Sequence, residues 1–196
     1  MISKNQKAKI KNQNLEKGYT LVELIVVTGI IVVIAGLIAG ILYSSLRGGN
    51  KSKVTNDVSQ NGNYALSVIS GTILDARAVT KIGGLAISDC TQTPKGTSIE
   101  LQQQDGSLIS FLCDNQTNSI ASTSGQTTTY LIDNNSVKVN SQTCSFTCKQ
   151  TNNDPYASPI IDIIFTVSQQ KTASAFENAG TATFNTSVTM RNYNPR

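Results

Sequence analysis

From Leu24 to Tyr43 the chain runs for twenty residues without a charge, most of them Val, Ile, Leu, Ala or Gly. At about 1.5 Å rise per residue, a helix of that length spans ~30 Å, the thickness of a bilayer's hydrocarbon core. Gly29, Gly36 and Gly40 lie inside it. Glycine costs about 1 kcal/mol against alanine in a helix interior, but in lipid it lets two helices approach closely. Gly36-x-x-x-Gly40 is therefore a candidate packing face, weighed against the ordinary abundance of glycine in membrane segments. The run ends at Arg47-Gly48-Gly49-Asn50, which reads as an exit from the membrane and a flexible joint.

From Ser52 to about Thr80 the pattern becomes amphipathic. Val58, Ala65, Ile69, Ile73 and Ala76 recur at helical spacing, while Asp57, Asn61, Asp75 and Arg77 fall off the stripe. Such a helix would lay its apolar face on a sheet; Gly62 and Gly71 count against its continuity. Beyond Gly83 the period shortens to two. Ile99 and Leu101, a turn at Gln104-Asp105-Gly106, and Leu108 to Leu112 predict one hairpin. Tyr130 to Ile132, Asp133-Asn134-Asn135 and Val137 to Val139 predict a second. Ile161, Ile163, Phe165 and Val167 share a strand face, as do Phe184, Thr186, Val188 and Met190. Residues 114–128 and 149–158, rich in Asn, Gln, Ser and Thr, read as surface loops. The expected fold class is α+β: a long N-terminal helix, half membrane and half amphipathic, packed on a C-terminal antiparallel sheet.

Charge sharpens the picture. Of the net +4 over 196 residues, all of it sits in the first eighteen, as Lys4, Lys7, Lys9, Lys11 and Lys17 against Glu16. The remainder is neutral, which argues against direct nucleic-acid binding by the whole domain. Those five lysines outweigh Arg47, Lys51 and Lys53 beyond the helix, so the N-terminus is expected in the cytoplasm and the rest outside. An ordinary secretory signal has a shorter apolar core and small residues at its cut, and no Ala-x-Ala site follows this run.

Cys90, Cys113, Cys144 and Cys148 all fall in the exported part, where an even number reads as disulfides with three connectivities. In an extended strand Cys144 and Cys148 would stand ~13 Å apart, so pairing them needs a bend. The expected bridges are Cys90–Cys113 and Cys144–Cys148. With no histidine in the chain, Ser-His-Asp and Cys-His catalysis are excluded, and the cysteine spacing forms no zinc set. The Gly48-Gly49 and Gly83-Gly84 pairs read as joints, not phosphate loops. No enzyme, cofactor or metal site is expected, and no Asp-x-Asp cluster supports calcium.

Ahead of the apolar run stands Lys17-Gly18-Tyr19-Thr20-Leu21-Val22-Glu23. An ionised carboxylate one turn into an apolar helix is expensive unless paired, so Glu23 asks for a reason. It could snorkel to the headgroups and favour the helix N-terminus, or meet a neighbouring subunit's amine. The basic leader, Gly18, the aromatic Tyr19, Thr20-Leu21-Val22-Glu23 and the membrane-length helix together resemble the class III leader of type IV pilins and pseudopilins. The likeness is strongest over residues 17–46, and Tyr19 stands where that family more often has Phe. A looser resemblance to minor pseudopilins extends to the strand ending in Met190-Arg191-Asn192.

This resemblance implies a pilin-like fold with residues 1–18 as leader, 19–47 as transmembrane and filament-core helix, 48–82 as amphipathic helix and 83–196 as extracytoplasmic sheet domain. It implies that a prepilin peptidase cuts after Gly18 and methylates the amine of Tyr19. Glu23, fifth in the mature chain, would then serve assembly. Other pilins or pseudopilins, a platform membrane protein and an assembly ATPase would be the partners, first in the inner membrane and then in a pilus or pseudopilus. A type IV pilus, type II secretion and DNA uptake stay open, as does major against minor subunit. The contrasting expectation is a membrane-anchored extracellular binding module that forms no filament.

Overall fold

The computed structural model describes residues 18–170 and 180–194. Lys4, Lys7, Lys9, Lys11, Glu16 and Lys17 of the expected leader lie outside the described residues. The fold is α+β. The one α-helix among the described residues, α1, covers Leu21–Asp75. Two compact units divide between Leu46 and Arg47.

In the first unit every large apolar side chain from Leu21 to Leu46 is exposed. Thr28 is polar within this stretch, and its hydroxyl donates back to the Leu24 carbonyl at 2.9 Å, which satisfies it within the helix. Gly48 and Gly49 are helical, so the predicted joint is not a break in secondary structure. With only backbone to contribute, a Gly-Gly step can continue a helix at an entropic cost.

In the second unit, α1 buries Val58, Gly62, Ala65, Ile69 and Ile73, which is the predicted stripe with Gly62 added and without Ala76, buried just beyond the helix end. Gly62 is the reason Phe184 fits. A Cβ there would stand 2.1 Å from the Phe184 ring, which stacks on Phe165 at 5.3 Å between centroids. Gly62→Ala is therefore expected to lower stability by about 1–3 kcal/mol, read as a drop in the urea midpoint at constant slope. The helix ends earlier than the pattern predicted: Arg77 N–H already donates to the Gln102 carbonyl at 2.7 Å, and the chain joins a sheet.

Ten strands follow among the described residues: β1 (Ala78–Ile82), β2 (Leu85–Ala86), β3 (Lys95–Gly96), β4 (Ser98–Gln102), β5 (Leu108–Asp114), β6 (Ser119–Ser124), β7 (Thr127–Tyr130), β8 (Val137–Lys149), β9 (Ile160–Gln169) and β10 (Thr181–Thr189). They form two antiparallel sheets, ordered β2-β1-β4-β5-β6-β7 and β10-β9-β8-β3. Gly83 and Gly84, at φ of 61° and 82°, make the tight turn between β1 and β2 and are not a domain joint. The β4–β5 hairpin forms as predicted.

The second predicted hairpin does not. Tyr130 pairs with Ala121 of β6, whereas Val137 opens β8 and pairs with Gln169 of β9. Leu131 and Ile132 between them are both buried, which alternation on a two-faced strand forbids; they mark the crossing from one sheet to the other. Part of the predicted 114–128 loop is the β6–β7 hairpin, where Thr123 and Thr128 hydroxyls meet at 3.2 Å. Its composition is polar, but Thr is a strand former. Phe111, Phe146 and Phe165, together with the predicted Ile161, Ile163 and Val167, fill the core.

Candidate processing and assembly site

Gly18 and Tyr19 precede the helix in exposed, irregular backbone, and Tyr19 is 85% exposed. Among the described residues, and apart from its chain neighbours, no atom lies within 4 Å of where a Gly18 Cβ would stand. The Gly18–Tyr19 peptide bond thus lies in exposed, non-helical backbone ahead of α1.

Thr20 caps α1, its carbonyl accepting from Leu24 N–H at 3.2 Å. Thr20 and Glu23 then bind each other reciprocally. Glu23 N–H donates to Thr20 Oγ1 at 3.2 Å, and Thr20 N–H donates to Glu23 Oε2 at 3.0 Å. The Thr20 hydroxyl donates to the same Oε2 at 3.1 Å. This is a capping box, which satisfies two backbone donors that a helix start leaves orphaned. Threonine three residues before glutamate was the sequence signal for it, and Thr20 is the site residue that family likeness alone does not single out. The box answers the cost of Glu23 at the edge of an apolar helix, since two donors reach one of its oxygens. Oε1 accepts nothing among the described residues. Because the box uses only Thr20 and Glu23, a cut after Gly18 leaves it whole.

Gly36 and Gly40 fall one turn apart in the exposed apolar segment, with open space where each Cβ would be. They could admit a second helix, and no described residue occupies that space.

The cysteines pair otherwise than expected. Cys90 joins Cys148 at a Cα separation of 5.4 Å, and Cys113 joins Cys144 at 6.1 Å. Cys144 and Cys148 belong to one long strand, β8, whose extended backbone holds them too far apart to meet. Each reaches a different partner: Cys113 on β5 of the other sheet, and Cys90 in the β2–β3 connection. Sequence spacing carried no sign of Gln150, which holds that connection in place. Its Oε1 accepts from Cys90 N–H at 2.7 Å, while its Nε2 donates to the carbonyls of Pro155 and Ala157 at 3.0 and 2.9 Å.

Among the described residues no group of three or more His, Cys, Asp or Glu could hold a metal. Helix α1 contains an apolar segment long enough to cross a membrane. Comparison with protein-family models, with curated proteins and with solved structures found no match.

Proposed function

We propose that this chain is a type IV pilin-like subunit, a minor pilin or pseudopilin, processed at its N-terminus and assembled through α1. The observation that carries the reading is the junction at Gly18 to Glu23. An exposed Gly18–Tyr19 step is followed at once by a capped helix whose large apolar side chains, from Leu21 to Leu46, are exposed. An α+β domain closed by two disulfides is what such a subunit would present outside the cell.

In this reading the leader lysines hold the cut site at the cytoplasmic face, and a prepilin peptidase removes residues 1–18 and methylates Tyr19. The freed helix then leaves lipid for a bundle of like helices. Packing of Val, Ile and Leu supplies cohesion there, and Gly36 and Gly40 allow close approach. Glu23 sets register: its Oε1, which accepts nothing among the described residues, is left to accept from the amine of a neighbour's Tyr19.

Mass spectrometry of the N-terminus, on membrane and sheared-surface fractions, tests this. The expected first residue is N-methylated Tyr19. An intact Met1 start would make the chain a membrane-anchored binding module, and a start beyond the apolar run would make it an ordinary secreted protein.

A further inference from the structure

Three of the four sheet edges are short. β2 and β3 have two residues each, with Lys95 on β3, and β7 has four. The fourth edge is β10, nine residues long, paired with β9 in unbroken register from Thr181↔Ser168 to Thr189↔Ile160. Its sequence, Thr-Ala-Thr-Phe-Asn-Thr-Ser-Val-Thr, has no charge, no proline and no glycine. Soluble proteins usually blunt such an edge with a charge, a proline or a bulge, because unpaired N–H and C=O groups template another strand.

The direction of those groups follows from the ladder's two ends. Gln169 N–H donates to the Gly180 carbonyl, and Met190 N–H donates to the Pro159 carbonyl, both at 3.0 Å. Even-numbered residues of β10 thus turn their backbone toward β9. By the alternation of an antiparallel ladder, Thr181, Thr183, Asn185, Ser187 and Thr189 turn theirs away, and no described residue bonds to them. Their side chains are exposed as well. The neighbouring polar side chains on this face are already satisfied within the sheet: Asp162 binds Lys149 and Ser187, which holds its carboxyl below the usual range, and Thr166 meets Thr183 at 3.0 Å.

The strand is also nearly self-complementary about Asn185. Run antiparallel to a copy of itself, it sets Thr181 opposite Thr189, Thr183 opposite Ser187 and Asn185 opposite Asn185 on the exposed face. On the inner face Ala182 meets Val188 and Phe184 meets Thr186. Hydroxyl pairs of this kind favour a sheet, and no like charges oppose one another.

We infer that β10 pairs with the β10 of a second copy, antiparallel and two-fold about Asn185. The outward groups of the two strands would then exchange about ten backbone hydrogen bonds. A two-fold pair is symmetric, whereas a filament of like-oriented subunits is polar, so the contact would join subunits of different filaments. The pairing does not depend on the filament reading and can fail or hold apart from it.

Register-specific crosslinking of the full chain in detergent micelles tests it. All four native cysteines lie in the two disulfides, so an added cysteine is the sole free thiol. Under mild oxidation Asn185→Cys, facing its own counterpart, should give a disulfide dimer. Thr189→Cys, facing Thr181, should give at least about tenfold less, because a bridge needs Cα atoms within ~7 Å. Asn185→Pro removes only an outward N–H, so it should fold and sediment as monomer where the parent chain dimerises. Equal crosslinking from both cysteine variants, or none from either, would overturn the proposal, as would an unchanged dimer with proline at 185.

Discussion

If the chain is the pilin-like subunit proposed above, replacing Glu23 with Val should leave cleavage after Gly18 intact while lowering incorporation into filaments by more than about tenfold. On that reading the substitution removes a charge-assisted hydrogen bond to a neighbour's amine, worth about 1.5–3 kcal/mol, and it also removes the cap of the chain's own helix. Two companion changes separate those losses. Glu23→Gln keeps a side chain able to complete the capping box but gives up the charge; if charge sets register, it should fail nearly as badly as Val. Thr20→Val breaks the box and keeps the charge, at a cost of about 1 kcal/mol in helix stability. It should assemble at a moderately reduced level. The readout is the ratio of sheared filament to membrane-bound subunit, with the mature N-terminus checked in each variant. Wild-type incorporation of the Gln variant would reduce Glu23 to a helix cap and defeat the register role.

The second large effect concerns the bridges. Replacing Cys113 and Cys144 together with Ala removes a link across 31 residues, and on chain-entropy grounds should destabilise the domain by about 3–4 kcal/mol. The Cys90–Cys148 bridge, spanning 58 residues, is worth about 4 kcal/mol by the same reasoning. A domain of this size has roughly 5–15 kcal/mol in all, so loss of both should leave it largely unfolded. Urea unfolding of the full chain in detergent, followed by near-ultraviolet circular dichroism, measures each step. A single-bridge variant with an unchanged midpoint would show that the sheets hold each other without the crosslink. Peptide mapping without reductant checks the pairing itself.

How far the fold was legible varied with the kind of signal. Period was reliable: the stripe from Val58 to Ile73 and the alternation of Ile161, Ile163, Phe165 and Val167 both describe buried faces. Each repeats a local rule that packing then uses. Gly62 looked like a weakness because helix propensity is local, while the Phe184 ring that requires it comes from the far end of the chain. Tyr130 to Val139 contained a true turn, since Asp133 accepts from Asn135 N–H and the Ser136 hydroxyl. A turn tells where the chain reverses but not which sheet it rejoins. Two adjacent buried residues, Leu131 and Ile132, were the available hint. The β6–β7 hairpin was hidden by its serines and threonines, which read as loop in composition yet suit an exposed edge strand. At the N-terminus the Thr20 and Glu23 spacing carried the signal of a capping box, which the weighing of Glu23 between the headgroups and a neighbour's amine passed over. The cysteine pairing was not legible, because it depends on which strands the fold sets side by side.

That pairing has a consequence for how the chain matures. The bridges are nested: Cys113–Cys144 lies wholly inside the span of Cys90–Cys148. In a chain exported from its N-terminal end, Cys90 and Cys113 reach the oxidising side while both of their native partners are still behind them. The first bridge open to a passing oxidant is thus the wrong one. Maturation then needs either a delay in oxidation until β8 has emerged or a thiol exchange that undoes the early bond. A trapped Cys90–Cys113 peptide in the non-reducing map would be the trace of that order of arrival.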